Sequence, residues 1–413
     1  MRFKLFLWIV IAFLCTPYGW ADEIQWVRRL QIAGKHPATP KSVMDNNGNL
    51  YLVTTTGSIY GKDGNTEVEP DVLLVKYAPD GTMLWQKTFG SNGEDESTAI
   101  TIDNNGFVYI TGTAPRNFIS NNDADKVFSG SNRDVFVMKV SGDGDAEWTS
   151  MFGTDDDDSG EAIFVTPAGE VYVAWTYRYN SNPFSLVSKL DTHGKRVWTE
   201  RVSIKNLMTN LGVIAVASGG DVFVGGYCLP IKKPDESGKI IISTSDPQAG
   251  CIAKLNVKNG KVWEKILGWE IANLIPNDKG GVFMSGSKER GVEFVAEFSA
   301  SGDILWSKFI KNNGLVHHDF NSMVKENNNL YIFGWTDDQF PGEKKMGGIY
   351  DSFLAKFSTK GDQVWIKQLG FTQQDIAWSG ASANGRVALV GEVENENDSN
   401  KDDIFVKMLL DTK

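Results

Sequence analysis

Seven tryptophans recur in one local setting along this 413-residue chain, and their register constrains the fold more than any other feature. Trp85, Trp148, Trp198, Trp263, Trp306 and Trp365 each close a phrase that joins an apolar run to a turn. The phrases are VKYAPDGTMLW, MKVSGDGDAEW, SKLDTHGKRVW, AKLNVKNGKVW, AEFSASGDILW and AKFSTKGDQVW. In each, a charged residue lies nine positions before the Trp: Lys76, Lys139, Lys189, Lys254, Glu297 and Lys356. The tryptophans themselves are 43 to 65 residues apart, yet the spacing of nine holds. Chance does not keep a register across variable intervals. Trp26 has no such phrase before it, whereas the C-terminal IFVKMLLDTK is a phrase of that type with no Trp after it. The two ends read as one repeat split across the chain.

Each repeat resolves into four segments. A short alternating stretch ends in a turn, as in TAITIDNNG (98–106) and EAIFVTPAG (161–169). A β-rich run follows: LYLVTTT, VYITGTA, VYVAWTY, VFVGGYC, VFMSGSK, LYIFGWT and VALVGEV. The phrase with the charged residue and the segment with the Trp complete the unit. Alternation, Val/Ile/Phe/Tyr enrichment and Gly/Asn/Asp punctuation make all four segments strands, and helical periodicity is absent. Four strands repeated at this interval predict a β-propeller. Seven copies predict seven antiparallel blades in one all-β domain over 22–413. The Trp26 segment, Ile24–Gln31, is then the outer strand of the last blade, and its pairing removes the edge that a linear array would expose.

The first 21 residues read as a signal peptide. Arg2 and Lys4 precede an apolar run over 5–15, and Gly19 and Ala21 place small residues before a cleavage point. The run is shorter than the roughly 20 apolar residues that a membrane span needs. A secreted or periplasmic chain with no membrane span is expected. Without Arg2 and Lys4 the 41 basic residues fall to 39 against 52 acidic ones, a net charge of about −13. That balance excludes nucleic acid as the main partner, because phosphate binding needs a basic footprint. Cys228 and Cys251 remain after processing, at the two feet of one long loop, and in an oxidising compartment they predict a disulfide. Two buried thiols are the alternative.

Antiparallel order puts the turns after the first and third strands on one face. These are tight, as in DNNG (45–48), DNNG (103–106) and SGDG (141–144). The loops after the second and fourth strands share the other face and carry the insertions: 56–70, 114–133, 228–249, 336–349 and 392–402. Binding residues on a rigid scaffold usually sit in such loops. The same face carries an acidic set. Asp95, Asp158 and Asp375 each lie ten residues after a Trp, and Glu94, Glu96, Asp155, Asp156, Asp157 and Asp319 add to it. One reading is a rim that holds Ca²⁺ or a cationic ligand through carboxylate oxygens. The other is that each repeated Asp caps a turn or accepts backbone N–H groups from the adjacent blade. Asp71/Lys76, Asp134/Lys139 and Asp351/Lys356 are five apart, so each pair points to opposite faces of its strand and bridges between blades are expected. The Trp set is expected to fill the outer wedge between blades.

The stretch DVFVMKVSGDGDAEWTSMFG…DDDDSGEAIFVTPAGEVYVAWT resembles the bacterial β-propeller repeat family SBBP, and the likeness covers essentially the whole mature chain. The resemblance implies a propeller and secretion; it implies no reaction. LNVKNGKVW (255–263) is more distantly similar to the Trp docking motif of quinoprotein-type propellers, whose rings have eight blades. Catalytic patterns are thin. Gly-x-Ser-x-Gly, His-Glu-x-x-His, a phosphate-cradling Gly loop and a Cys-Cys pair are missing from the sequence. His317 and His318 are adjacent and point to opposite sides of a strand, and His36 and His193 lie in a loop and a turn. The expectation is a monomeric, non-enzymatic propeller with no cofactor beyond Ca²⁺, binding a protein or glycan through its insertion face. The alternative is a metal-assisted hydrolase or lyase using the acidic rim. A third reading, an envelope-assembly scaffold, needs an anchor.

Overall fold

The computed structural model describes residues 24–32, 39–57, 59–60, 66–91, 93–115, 133–179, 182–205, 207–230, 249–258, 260–289, 292–311, 318–395 and 402–411. The signal segment, His36, His317 and most of the insertions at 114–133 and 228–249 lie outside them. The described residues form seven four-stranded antiparallel sheets and one two-stranded hairpin, Ile59–Tyr60 with Thr66–Val68. The blades, I to VII, span 41–89, 96–152, 158–202, 207–267, 270–311, 318–368 and 375–410. Their strands run in chain order from the inside (a) to the outside (d), and the a strands of neighbouring blades touch all round the ring. Blade VII takes its outer strand from the other chain end. Ile24–Leu30 pairs with Asp402–Leu410, so the ring is closed as the split repeat predicts.

The strands differ in burial as their sequences require. Strands b and c are covered on both faces and read as continuous apolar runs: Leu50–Thr55 is buried at all six positions. Outer strands alternate, as in Met83–Phe89, whose half-buried and exposed positions interleave up to buried Phe89. The core is not central. It divides into seven clusters, each spanning one interface between neighbouring blades, such as Val53, Leu74, Ile110 and Phe136 between I and II. Between the inner strands, Thr98 donates to the Gly160 carbonyl and Asn321 to the Ala377 carbonyl, tying blade II to blade III and blade VI to blade VII.

The tryptophans pack between blades. Trp148 of blade II leans on the c–d turn of blade III, where its Nε1 donates to the Thr192 carbonyl at 3.3 Å. Gly194 of that turn has φ 80°, and a Cβ there would lie 2.6 Å from the Trp148 ring, so only glycine serves both demands. Trp26, Trp85 and Trp263 repeat the bond to Pro79, Gly142 and Ala300. Trp306 departs: its Nε1 donates to Glu297 of its own blade, the one repeat whose charged residue is acidic.

The charged residue nine before each Trp lies directly across from it in the c–d pairing, as in Lys76–Trp85 and Lys356–Trp365. The last blade corrects the sequence reading. Trp26 pairs with Met408, and Lys407 stands one position earlier. A one-residue offset turns a side chain to the other face of its strand. Lys407 is therefore buried in the interface with blade VI instead of meeting Trp26. The lysines bridge blades only in part. Lys356 pairs with Asp411 of blade VII at 2.6 Å, and Lys76 donates to the Gly142 carbonyl of blade II. Lys254 pairs with Asp221 of its own blade at 2.7 Å and also donates to the Ala300 carbonyl of blade V at 3.1 Å, whereas Lys189 pairs with Glu170 of its own blade at 2.7 Å.

Cys228 and Cys251 form a disulfide, with Cα atoms 6.0 Å apart. They stand diagonally on neighbouring strands b and c of blade IV, since Cys228 faces Ala249 and Cys251 faces Gly226.

Candidate functional site

Asp95, Asp158 and Asp375 open, or immediately precede, the inner strands of blades II, III and VII, on the insertion face. Each is buried and closes the loop that enters its strand. Asp95 accepts from the N–H and hydroxyl of Ser91, Asp158 from those of Thr154, and Asp375 from the N–H groups of Phe371 (2.7 Å) and Ser352 (3.0 Å). Ser352 belongs to the preceding blade. These contacts are those of caps and inter-blade acceptors. The ring places the three carboxylates at three separate interfaces and does not bring them together.

Each has a second carboxylate beside it. Asp71, Asp134 and Asp351, at the entry to strand c of the preceding blade, stand 24 residues before Asp95, Asp158 and Asp375. Gly153 shows how close one pair lies: a Cβ there would be 2.3 Å from Asp158 Oδ2 and 2.7 Å from Asp134 Oδ1. Burial pushes Asp95 up to about 6 and Asp158 up to about 7. The hydrogen bonds from Ser91 and Thr154 oppose that rise, and Asp71 and Asp134 add to it. Burial also raises Asp375, but there the Lys407 ammonium pulls the other way. Lys407 donates to the carbonyls of Leu369 and Gly370 and lies 3.5 Å from the Phe371 ring centre. These Asp–Asp pairs escape a reading that follows each residue against its Trp, although the constant spacing of 24 carries them.

The other acidic residues take individual roles. Glu96 and Glu94 pair with Arg133 at 3.0 and 3.5 Å, and Asp157 accepts from the Arg133 N–H at 3.4 Å. The Asp156 N–H donates to Thr154. Asp319 is exposed near the start of the inner strand of blade VI. His193 sits in an exposed turn. Among the described residues, no three His, Cys, Asp or Glu side chains are disposed to hold a metal ion.

Two features of the insertion face are not among the sequence candidates. The first is Glu293 in strand c of blade V, 1% exposed. Burial pushes its carboxyl up to about 9, with Asp319 and Glu270 adding to the rise. Thirteen residues before the Trp, where blade V has Glu293, the other phrases have Val72, Val135, Ser185, Gly250 and Ser352. That single acidic exception is the signal in the sequence. The second is the b–c insertion of blade VI. It is braced from within by bonds from Lys345 to the Asp337 carbonyl (2.8 Å), from the Met346 N–H to Asp351 (2.8 Å) and from Gln368 to the Asp338 carbonyl (2.9 Å). It holds Met346 41% and Ile349 62% exposed. At its base the Tyr350 and Trp335 rings pack edge to face, 4.5 Å apart. A further groove of about 360 Å³, lined by Trp175, Leu186, Arg196, Val197, Trp198 and Thr199, lies on the outer flank of blade III.

Fold and repeat define the class, a seven-bladed β-propeller of four-stranded blades. The SBBP beta-propeller repeat matches residues 88–118, from the end of blade I through strand b of blade II, so the chain carries a repeat of that type. The regulatory protein FlaEY of Caulobacter vibrioides is 26% identical over 156 residues, covering 34% of this chain and 16% of that protein. The chain thus matches about a sixth of the length of that relative. Among solved structures, the WD40 β-propeller domain of Doa1 is similar with a TM-score of 0.51 at 12% identity, covering 95% of this chain and 97% of that one. The polysaccharide lyase Uly1 has a TM-score of 0.47 at 11% identity, covering 92% and 91%. Likeness at these identities shows the fold alone. No helix among the described residues is long and apolar enough to cross a membrane.

Proposed function

We propose that the protein is a secreted or periplasmic binding module, without catalytic activity, that takes a protein or glycan ligand on its insertion face. The observation that carries this reading is the blade VI insertion, braced by its own hydrogen bonds while presenting Met346 and Ile349 to solvent. Covering apolar side chains that a braced loop already holds in place gains burial at little ordering cost. The repeated aspartates support the same reading. The metal-assisted hydrolase or lyase alternative needs them as ligands, and they accept hydrogen bonds from their own loops. The Cys228–Cys251 disulfide suits an oxidising compartment.

Photo-crosslinking in cells that express the protein tests the proposal. A probe at position 349 is expected to give a discrete adduct that disappears when the probe is moved to exposed Asn105 on the tight-turn face. Labelling with no preference between the two faces refutes the binding assignment. Cell fractionation tests the compartment: mature protein retained with cytoplasmic markers refutes secretion.

A further inference from the structure

Three carboxyl groups converge where blades V and VI meet the insertion face. Glu270, Ser287 and Glu293 are in direct register across strands a, b and c of blade V, so all three side chains leave the same face of the sheet. Asp319 stands near the start of the next inner strand, close enough for its charge to act on both Glu270 and Glu293. Glu270 and Asp319 are exposed and form a rim, while Glu293 lies beneath them. Its carboxyl is bonded by Ser287 and the Phe320 N–H, but Oε1 is buried with no hydrogen-bond partner. A buried acceptor left open is unfavourable by itself, and two like charges above it add to that. The arrangement is relieved by a proton or by a cation arriving from the rim side.

The surroundings say which kind of cation. Asp319 is directly across from Trp335, the Trp335 ring packs on Tyr350, and exposed Ile349 is the chain neighbour of Tyr350. The Trp335–Tyr350 ring pair thus links the acidic notch to the insertion, whose Gly347 and Gly348 lie against Thr372 and Gln374 on the blade VII side. The carboxylates do not have metal-ligand spacing, whereas a guanidinium or ammonium group needs no closed shell and can lie between two rim acceptors. We propose that this notch accepts the arginine or lysine side chain of a protein partner whose neighbouring apolar residues lie against Met346 and Ile349. The proposal rests on the protein-ligand form of the function above. Glu293 holds a proton at neutral pH while the notch is empty, and a cation at the rim favours its release; the groups that face it are Asp319, Glu270, Ser287 and the Phe320 N–H.

The test uses two probes of the same shape, the peptides Ac-Leu-Arg-Leu-NH2 and Ac-Leu-citrulline-Leu-NH2, titrated into the mature protein and followed by NMR. The arginine peptide is expected to saturate, with the citrulline peptide at least about tenfold weaker. Glu270→Gln with Asp319→Asn, both at exposed positions, should erase that difference without lowering the melting temperature. Glu293→Gln should remove the pH dependence of arginine-peptide binding between pH 6 and 9. Equal binding of both peptides, or a preference that survives the double substitution, overturns the proposal. Saturable Ca²⁺ binding that the double substitution removes also overturns it, in favour of a metal site. If position 349 crosslinks but the peptides are not distinguished, only the notch fails. If the peptides are distinguished but position 349 never crosslinks, the failure lies with the docking face.

Discussion

The interfaces between blades II and III and between blades VI and VII start from one plan and handle it in opposite ways. Both place two aspartates 24 residues apart near a glycine: Gly153 lies beside both Asp134 and Asp158, and Gly370 lies beside Asp351, the partner of Asp375. Between II and III burial pushes Asp158 up to about 7, and the charge of Asp134 adds to that rise. Between VI and VII a buried ammonium joins them, because strand c of blade VII carries Lys407 where strand c of blade III carries Ser188. Ser188 instead accepts from the Trp175 indole at 2.9 Å. A like-charge pair inside a fold can be relieved by a shared proton or by a neighbouring cation. The first needs no extra residue but titrates near neutrality. The second gives way from the basic side, as Lys407 loses its proton near pH 8, and requires a break in the repeat.

The largest effect is expected from removing residues 24–31, which strips the outer strand from blade VII and exposes the edge of Asp402–Leu410. Loss of a cooperative melt is the expected outcome; an unchanged melting temperature would show that ring closure does not stabilise the fold. Next comes Lys407→Met, which leaves two carboxylates and two carbonyls without their cation and should destabilise by about 3 kcal/mol in denaturant titration. Adding Asp375→Asn should recover part of that loss, and no recovery would uncouple the lysine from the aspartates. Replacing both Cys228 and Cys251 by Ser should take roughly 3 kcal/mol through the chain-entropy effect. Because the bridge lies in blade IV, the pH dependence of stability should not change, which makes this variant the control.

The smallest effect separates the two interfaces by the sign of their pH dependence. Asp158 rises from 3.8 to about 7 on folding, so its contribution is fully present below pH 4 and is lost as pH climbs through 7. Lys407 falls from 10.5 to about 8, so its contribution is fully present above pH 10.5 and is lost as pH drops through 8. Melting curves of Asp158→Asn should therefore be flatter than wild type between pH 5 and 7.5, and those of Lys407→Met flatter between pH 8 and 10. Parallel curves for all three proteins would mean that neither group titrates across folding.

The ring itself was readable because its signal is redundant. Six tryptophans at one offset and glycines in the facing turns specify the same blade, and the split repeat places Trp26 against the C-terminal strand. Lys407 was not readable as a buried ion. VKM at 406–408 looks like the VMKV of 137–140, and a slip of one residue leaves composition unchanged while reversing the face. The acidic set was half legible. Spacing from each Trp picks out Asp95, Asp158 and Asp375, but their partners belong to the preceding blade, so the pairing needs a comparison between repeats. Glu293 is the harder case. One acidic residue in an apolar phrase looks like drift until the register shows Glu270 and Asp319 above it.

Trp26 leaves the ribosome about 380 residues before its partner Met408, with every other blade made between them. The strand that holds Trp26 must therefore wait unpaired while the six complete blades are made, and the contact that closes the ring spans the whole propeller. Such contacts make folding slow. They also make it self-checking: six blades can form from an incomplete chain, but only a chain read to its final strand can shut.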